Sequence, residues 1–187
     1  MIIKFLITFN SLSWCLKFYY LYIKKIFLIF IFFALASCDA PQQNPNFEKN
    51  VERAQEWFDK WEEEDLDYLS SKIGDEIEWQ GAFYANTEYF TTKEDVVAYI
   101  SGWIGAMEDI NYEPENFLPG VDPETKMLNG SVRTYGTWTG KNTASGKPFE
   151  VKFYHYLTFD EDGMLINGGD YGDATGVVMA VAPDPES

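Results

Sequence analysis

The sequence predicts an α+β domain, with helices packed on one face of a strongly bent sheet that is formed mainly by later strands. Three observations predict it. Apolar residues recur every three or four positions near residue 50, they alternate with polar residues near residue 78, and four long β-rich stretches follow Asp109. The length of 187 residues suits one domain.

The first helix is predicted over about residues 47 to 63, because its apolar residues recur at spacings of four, three, four and three. Charged residues fill most positions between them, so the opposite face is solvated. The apolar positions are Phe47, Val51, Ala54, Phe58 and Trp61. A short second helical stretch continues the apolar side from Leu66 to about Ile73.

A strand is predicted next, ending near Tyr84, since apolar and polar residues alternate from Glu76 to Phe83. Thr91, with Glu94 three residues later, forms a capping-box signature that predicts the start of another helix. The predicted buried stripe of this helix is Val96, Ile100, Trp103 and Met107.

Four strands are predicted after Asp109, at about 110 to 118, 127 to 139, 149 to 159 and 164 to 173. Segments rich in glycine and proline separate the first three strands, and the tight turn from Asp160 to Gly163 separates the last two. Consecutive long antiparallel strands are expected.

The N-terminal segment has the outline of a secretory signal. Ten apolar residues, 26 to 35, follow Lys24 and Lys25 and are too few to cross a membrane as a helix. Positions 35 to 38 read Leu-Ala-Ser-Cys, which resembles the bacterial lipobox. That resemblance implies a signal over 1–37, lipidation of Cys38 and a tether over 38–46. The expected location is the bacterial cell envelope, as a membrane-anchored lipoprotein facing the periplasm or the cell surface.

Two alternatives stay open in this segment. Cys38 could be an ordinary thiol after an ordinary cleavage site. The basic pair of the signal comes late, so residues 1–22 are either a mis-assigned start, an extended leader or an extra membrane-embedded segment.

The charge of the chain excludes one class of partner. The formal net charge is −16, and residues 39–187 carry ten basic against 30 acidic residues. Such a surface repels phosphate backbones, so no nucleic-acid partner is predicted. Membrane attachment through a basic patch is disfavoured for the same reason.

The last three strands carry segments typical of one family. They read Tyr-Gly-Thr-Trp-Thr-Gly at 135 to 140, Asp-Glu-Asp-Gly at 160 to 163 and Gly-Asp-Tyr-Gly-Asp at 169 to 173. Together with the order of elements, they resemble the SnoaL-like branch of the nuclear transport factor 2 (NTF2) superfamily over about residues 47 to 181, which leaves a tail at 182–187. The resemblance implies a cone-shaped, cystatin-like NTF2 fold with a bent mixed or antiparallel sheet. It says less about activity, because the superfamily includes cyclases, isomerases, hydrolases and members with no chemistry.

The only histidine of the chain, His155, lies on the apolar face of its predicted strand. If the turn pairs Phe159 with Met164, antiparallel counting places His155 opposite Gly168 and diagonal to Asp170 on the same face. A neutral imidazole near a desolvated carboxylate suits acid/base chemistry. Gly168 would leave room there for a ligand.

The resemblance implies the same pair, since SnoaL-like cyclases use a histidine and an aspartate from the last two strands. It carries over to His155 and Asp170 only, and the residue sets of ketosteroid isomerases and epoxide hydrolases find no match. A one-residue slip or a bulge would instead present Tyr171 and Asp173, which are the reserve candidates. The pair would equally suit a structural core in which each group satisfies the other.

An apolar ligand cavity is predicted between the sheet and the helices. Its expected lining is Trp79, Phe83, Trp103, Trp138 and Phe153, although each of these also suits ordinary core packing. No metal site is predicted, because one histidine without a suitable cysteine cannot build a standard zinc site. No cofactor is predicted either, since the loop at 140 to 148 lacks the spacing of a phosphate loop.

Two functions remain at this stage. The first is a lipid-anchored envelope protein that binds a small, largely apolar molecule, with cofactor-free lyase, cyclase or isomerase chemistry at His155 and Asp170. The alternative is a non-catalytic module that acts through dimerisation or partner binding. A homodimer is expected in either case.

Overall fold

The computed structural model describes residues 23–24 and 43–184. The chain divides into two compact units, Met1–Gln42 and Gln43–Ser187. The predicted signal, the lipidation site Cys38 and the question of the start lie outside the described residues. Within those residues, no helix is both long enough and apolar enough to cross a membrane.

Residues 43–184 form four helices and six strands. The helices are α1 (Phe47–Glu62), α2 (Leu66–Lys72), α3 (Lys93–Ala106) and α4 (Ala174–Val181). The strands are β1 (Ile73–Gln80), β2 (Phe90–Thr92), β3 (Met107–Val121), β4 (Leu128–Asn142), β5 (Pro148–Phe159) and β6 (Leu165–Gly172). The predicted α+β class is confirmed.

The six strands form one mixed sheet in the order β2-β1-β6-β5-β4-β3. Only β1 and β6 run parallel, and the other neighbours are antiparallel as expected for consecutive strands. The β3–β4 ladder shifts register at three places, from Glu108 to Asn111, Pro114 to Asn116 and Pro119 to Val121. Such irregularities bend a strand and increase its twist, so they favour curvature in this part of the sheet.

The aromatic side of α1 seals the inner face of the sheet. The Phe58 ring stacks on Tyr112 of β3 at 4.3 Å, and Trp57 meets Trp79 of β1 at 6.4 Å. Burying an aromatic side chain of this kind stabilises a fold by about 1.5–3 kcal/mol. The predicted amphipathic helix is therefore confirmed, ending one residue earlier than expected.

Two glycines let aromatic rings lie directly on a neighbouring strand. A Cβ at Gly136 would stand 2.4 Å from Tyr112 Cζ, and one at Gly168 would stand 2.6 Å from Trp79 Cζ3. The prediction that Gly168 leaves room for a ligand is wrong, because Trp79 fills that space and Leu157 is the cross-strand partner.

Several predicted boundaries were wrong. Ile73 begins β1 instead of ending a helix, and β1 ends before Tyr84. The cap of α3 is Thr92, the last residue of β2, and its side chain accepts the Asp95 N–H at 3.2 Å, so the predicted cap at Thr91 was one residue too early.

Two elements were not predicted. Strand β2 has three residues and is too short to show a period. Helix α4 is almost wholly apolar and has little amphipathic contrast.

Candidate functional site

The pairing of β5 with β6 brings His155 directly opposite Asp170. The prediction of a diagonal contact was wrong, because Phe159 pairs with Leu165 and a register shift follows between Thr158 and Phe159. Together, the two changes displace β6 by two residues along β5 relative to the predicted register. Side chains of a strand alternate between its faces with a period of two, so a displacement of two residues does not change the face. Asp170 therefore keeps the inner face that it shares with His155.

Four side chains form one hydrogen-bonded chain on this face. The Trp138 Nε1–H donates to His155 Nε2 at 2.8 Å. His155 Nδ1 lies 2.6 Å from Asp170 Oδ1. The Tyr99 hydroxyl donates to the other carboxylate oxygen, Asp170 Oδ2, at 3.1 Å. The side chains of His155 and Asp170 are only 6% and 9% exposed, so water solvates these two groups very little.

The bond from Trp138 decides where the imidazole proton lies. An indole nitrogen can only donate, so His155 Nε2 must accept and carries no proton. The remaining proton is on Nδ1 and is donated to Asp170, which accepts as a carboxylate. The pair is a neutral imidazole beside a buried negative charge.

The hydroxyl of Tyr99 remains protonated in this setting. Burial raises the pKa of Tyr99 strongly, and the charge of Asp170 raises it further, against opposing hydrogen bonds from Trp103 and the Ala82 backbone. Burial likewise raises the pKa of Tyr112 to about 12. Both phenols act as neutral groups at physiological pH.

A cavity of about 60 Å³, measured for the centres of water-sized molecules, opens beside this chain. That volume holds about four waters. Its lining combines nine aromatic and five aliphatic side chains with His155 and Asp170. Among the described residues that line it there is no lysine or arginine. The arrangement can hold a small, largely apolar molecule against a carboxylate that is able to accept a proton.

The structure places four of the five predicted pocket residues in this lining, namely Trp79, Trp103, Trp138 and Phe153. Phe83 is the exception. It lies in the loop after β1 and is 37% exposed. Its ring stacks on the ring of Trp103, with the two ring centroids 5.4 Å apart.

The reserve candidates do not enter the cavity lining. Asp173 is the N-cap of α4, where its side chain accepts the Gly176 N–H at 2.8 Å. Tyr171 points to the other face of the sheet and is 58% exposed. The register shift occurs between Leu165 and Asn167, before Gly168 and Gly169, and together with the one-residue change at the turn it leaves Asp170 on the inner face.

The lining includes ten residues that the sequence did not assign to the site, and four of these are large aromatic side chains of the helices, namely Trp57, Phe58, Trp61 and Tyr99. A signal existed for each of these four. Tyr99 follows Val96 by three residues and precedes Trp103 by four, so it belongs to the apolar stripe of α3. The other three lie on the aromatic side of α1.

Comparison with known proteins identifies the family of the domain that carries this site. A family model described as a SnoaL-like domain matches residues 54–167, which is well over half of the chain. The curated proteins contain no match.

Solved structures share the fold at low identity. An NTF2-like protein of unknown function from Burkholderia pseudomallei is 15% identical, with a TM-score of 0.57 over 71% of this chain and 97% of that one. A protein provisionally named a SnoaL-like polyketide cyclase, from Jannaschia sp. CCS1, is 16% identical, with a TM-score of 0.61 over 77% and 99%. A protein with a ketosteroid isomerase-like fold from Catenulispora acidiphila, solved with trimethylamine, is 14% identical, with a TM-score of 0.56 over 71% and 94%. At these identities the likeness establishes the NTF2-like fold alone.

Proposed function

This chain belongs to the SnoaL-like domain family, and from that premise we propose that its cavity binds a small, largely apolar molecule and transfers a proton on it without a cofactor. Asp170 is the base, and the neutral His155 holds and orients its carboxylate. Some lyase, cyclase and isomerase reactions begin with the removal of a proton from carbon. A solved relative is named for cyclase chemistry and another was solved with a small amine, which supports a small-molecule site in this fold.

One observation carries the proposal, namely a hydrogen-bonded carboxylate and imidazole in the wall of an apolar cavity. Asp170 and His155 both line the cavity, so a molecule bound there lies next to the carboxylate. A structural pair would not need the open space beside it.

Deuterium exchange tests the proposal without knowledge of the natural substrate. Small ketones are incubated with the protein in D₂O, and deuterium incorporation beside the carbonyl is followed by NMR. Asp170→Asn is expected to lower the exchange rate at least about 100-fold. The melting temperature should hardly change, because the amide oxygen still accepts the His155 N–H.

Glu52→Gln is the matched control, since it removes an exposed carboxylate from α1. Its exchange rate should equal that of the unchanged protein. Unaltered exchange in Asp170→Asn, together with a lower melting temperature, would assign the pair a structural role.

We also propose that the protein is a lipoprotein of the bacterial cell envelope, anchored through Cys38. The proposal rests on the lipobox-like residues 35 to 38 and the apolar run before them. Cys38→Ala should move the mature protein from the membrane fraction to the soluble fraction. Persistence of the cleaved, shortened form in membranes would contradict the anchor.

A second function, dimerisation through the outer face of the sheet, is favoured by a cluster of tyrosines around Arg133. The cluster consists of Tyr135, Tyr154, Tyr156 and Tyr171, with neighbouring rings 5.0–6.4 Å apart. Tyrosine and arginine are enriched in protein interfaces. The cluster itself contains no carboxylate, so its own side chains add no repulsion between two acidic copies.

Light scattering after gel filtration tests this second function. The double change Tyr135→Ser and Tyr171→Ser should convert a dimer into a monomer, because both rings are largely exposed. Tyr84→Ser is the control, since Tyr84 is 87% exposed and lies outside the cluster. A monomeric unchanged protein would refute dimerisation.

A further inference from the structure

The cavity carries one uncompensated negative charge. The hydrogen bond from Trp138 leaves His155 neutral, so the imidazole does not balance the carboxylate of Asp170. Among the described residues that line the cavity there is no cationic side chain. A buried charge without a counter-ion is costly, and the two donors to Asp170 offset only part of that cost.

The walls around this charge are aromatic faces. Five of the six tryptophans of the chain line the cavity, and the sixth is Trp14. Tryptophan is the aromatic side chain that attracts a cation most strongly, through the negative face of its ring. An aromatic enclosure with a single carboxylate thus favours a cation more than a neutral molecule of the same shape.

We propose that the cavity selects a small organic cation, whose tertiary or quaternary ammonium group lies among the tryptophan rings with Asp170 as its counter-charge. The inference rests on the proposed function and names the substrate class of the same site.

The available hydrogen-bond acceptors distinguish between kinds of amine. Each oxygen of Asp170 already accepts one hydrogen bond, from His155 or from Tyr99. A carboxylate has about four acceptor sites, so a primary ammonium group with three donors would find at most two free sites and leave at least one donor unsatisfied among aromatic walls. Alkylated ammonium groups carry one donor or none, and their methyl groups pack against the rings.

The net charge of the protein and the volume of the cavity both agree with this class of ligand. The formal net charge of −16 attracts cations and repels anions before they reach the cavity. The cavity has room for about four waters, which matches the four non-hydrogen atoms of a trimethylammonium group, while a longer substituent would extend past half-buried residues such as Trp61 and Trp103.

Choline and 3,3-dimethylbutan-1-ol provide a matched pair of probes, because they have the same shape and differ in charge. Binding to the purified full-length chain is measured by calorimetry and by tryptophan fluorescence at constant ionic strength. Choline is expected to bind at least about tenfold more tightly than the neutral alcohol. Asp170→Asn should reduce that ratio to about twofold or less, whereas Glu52→Gln, which removes an exposed charge, should leave it unchanged.

Trp61→Leu gives an independent readout if Asp170→Asn does not fold. Loss of this half-buried ring should weaken choline binding several-fold and leave the neutral alcohol within about twofold.

The outcomes separate this inference from the proposed function. Equal affinity for the two probes, or a preference that survives Asp170→Asn, would overturn the inference while leaving a cavity that binds apolar molecules. Absence of binding by both probes would also overturn it, and the deuterium exchange of small ketones would then decide the proposed function separately.

Discussion

Replacing Tyr99 with phenylalanine is expected to lower the free energy of unfolding by about 1.5–3 kcal/mol, because it removes a hydrogen bond to a buried charged group. The Tyr99 hydroxyl donates to Asp170 Oδ2 at 3.1 Å, and the Asp170 side chain is only 9% exposed. Phenylalanine keeps the ring contacts with Phe83 at 6.0 Å and Phe90 at 5.5 Å. The change therefore isolates the hydroxyl group.

Urea unfolding followed by tryptophan fluorescence measures this loss. In a thermal scan it corresponds to a melting temperature lower by about 3–12 °C for a chain of this size. Tyr84→Phe is the matched control, because Tyr84 is 87% exposed, and it should stay within about 0.5 kcal/mol of the unchanged protein.

A double-mutant cycle with Asp170→Asn tests the cause of the effect. The hydrogen bond between Tyr99 and Asp170 predicts a coupling energy of about 0.5–3 kcal/mol. Additive changes, or a Tyr99→Phe effect no larger than that of Tyr84→Phe, would refute the role assigned to this bond.

Three further predictions address the tautomer, a helix cap and a tightly packed glycine. The single histidine yields one set of imidazole ¹⁵N resonances, and these should show a proton on Nδ1 only; a proton on Nε2 would contradict the bond from Trp138. Asp173→Ala removes the acceptor of the Gly176 N–H and should cost about 1 kcal/mol in urea unfolding, so unchanged stability would show that α4 does not depend on its cap. Gly168→Ala places a Cβ 2.6 Å from Trp79 Cζ3 and should destabilise the fold by about 1–3 kcal/mol with a shift in tryptophan emission; the absence of both effects would argue against this packing.

The fold was largely predictable because its long elements have clear periods. The spacing of apolar residues in α1 and the alternation along β5 indicate which face each element buries. The order of helices before long strands then favours an α+β class. Boundaries were less predictable, as at Ile73 and Thr91, because a residue near the end of an element suits two structures equally until its neighbours are in place.

The site was predictable only in part. Alternation placed His155 on the inner face, and four of the five proposed pocket residues line the cavity. The direct opposition of His155 and Asp170 depended on a bulge, and a bulge has no reliable local signal in a strand. The apolar stripe of α3 could have placed Tyr99 on the inner face, but its bond to Asp170 was not predictable, because Asp170 lies 71 residues away along the chain.

By itself, the sequence determined the fold class, the inner faces of the long elements, the acidity of the surface and the candidates His155 and Asp170. These properties follow from composition and from repeats of two or 3.6 residues, which are local. Only the tertiary structure decided that Trp138 holds His155 neutral, that Tyr99 completes the chain and that α1 closes an aromatic cavity. Those features depend on contacts between elements far apart in the chain, and such contacts exist only once the sheet has bent around its helices.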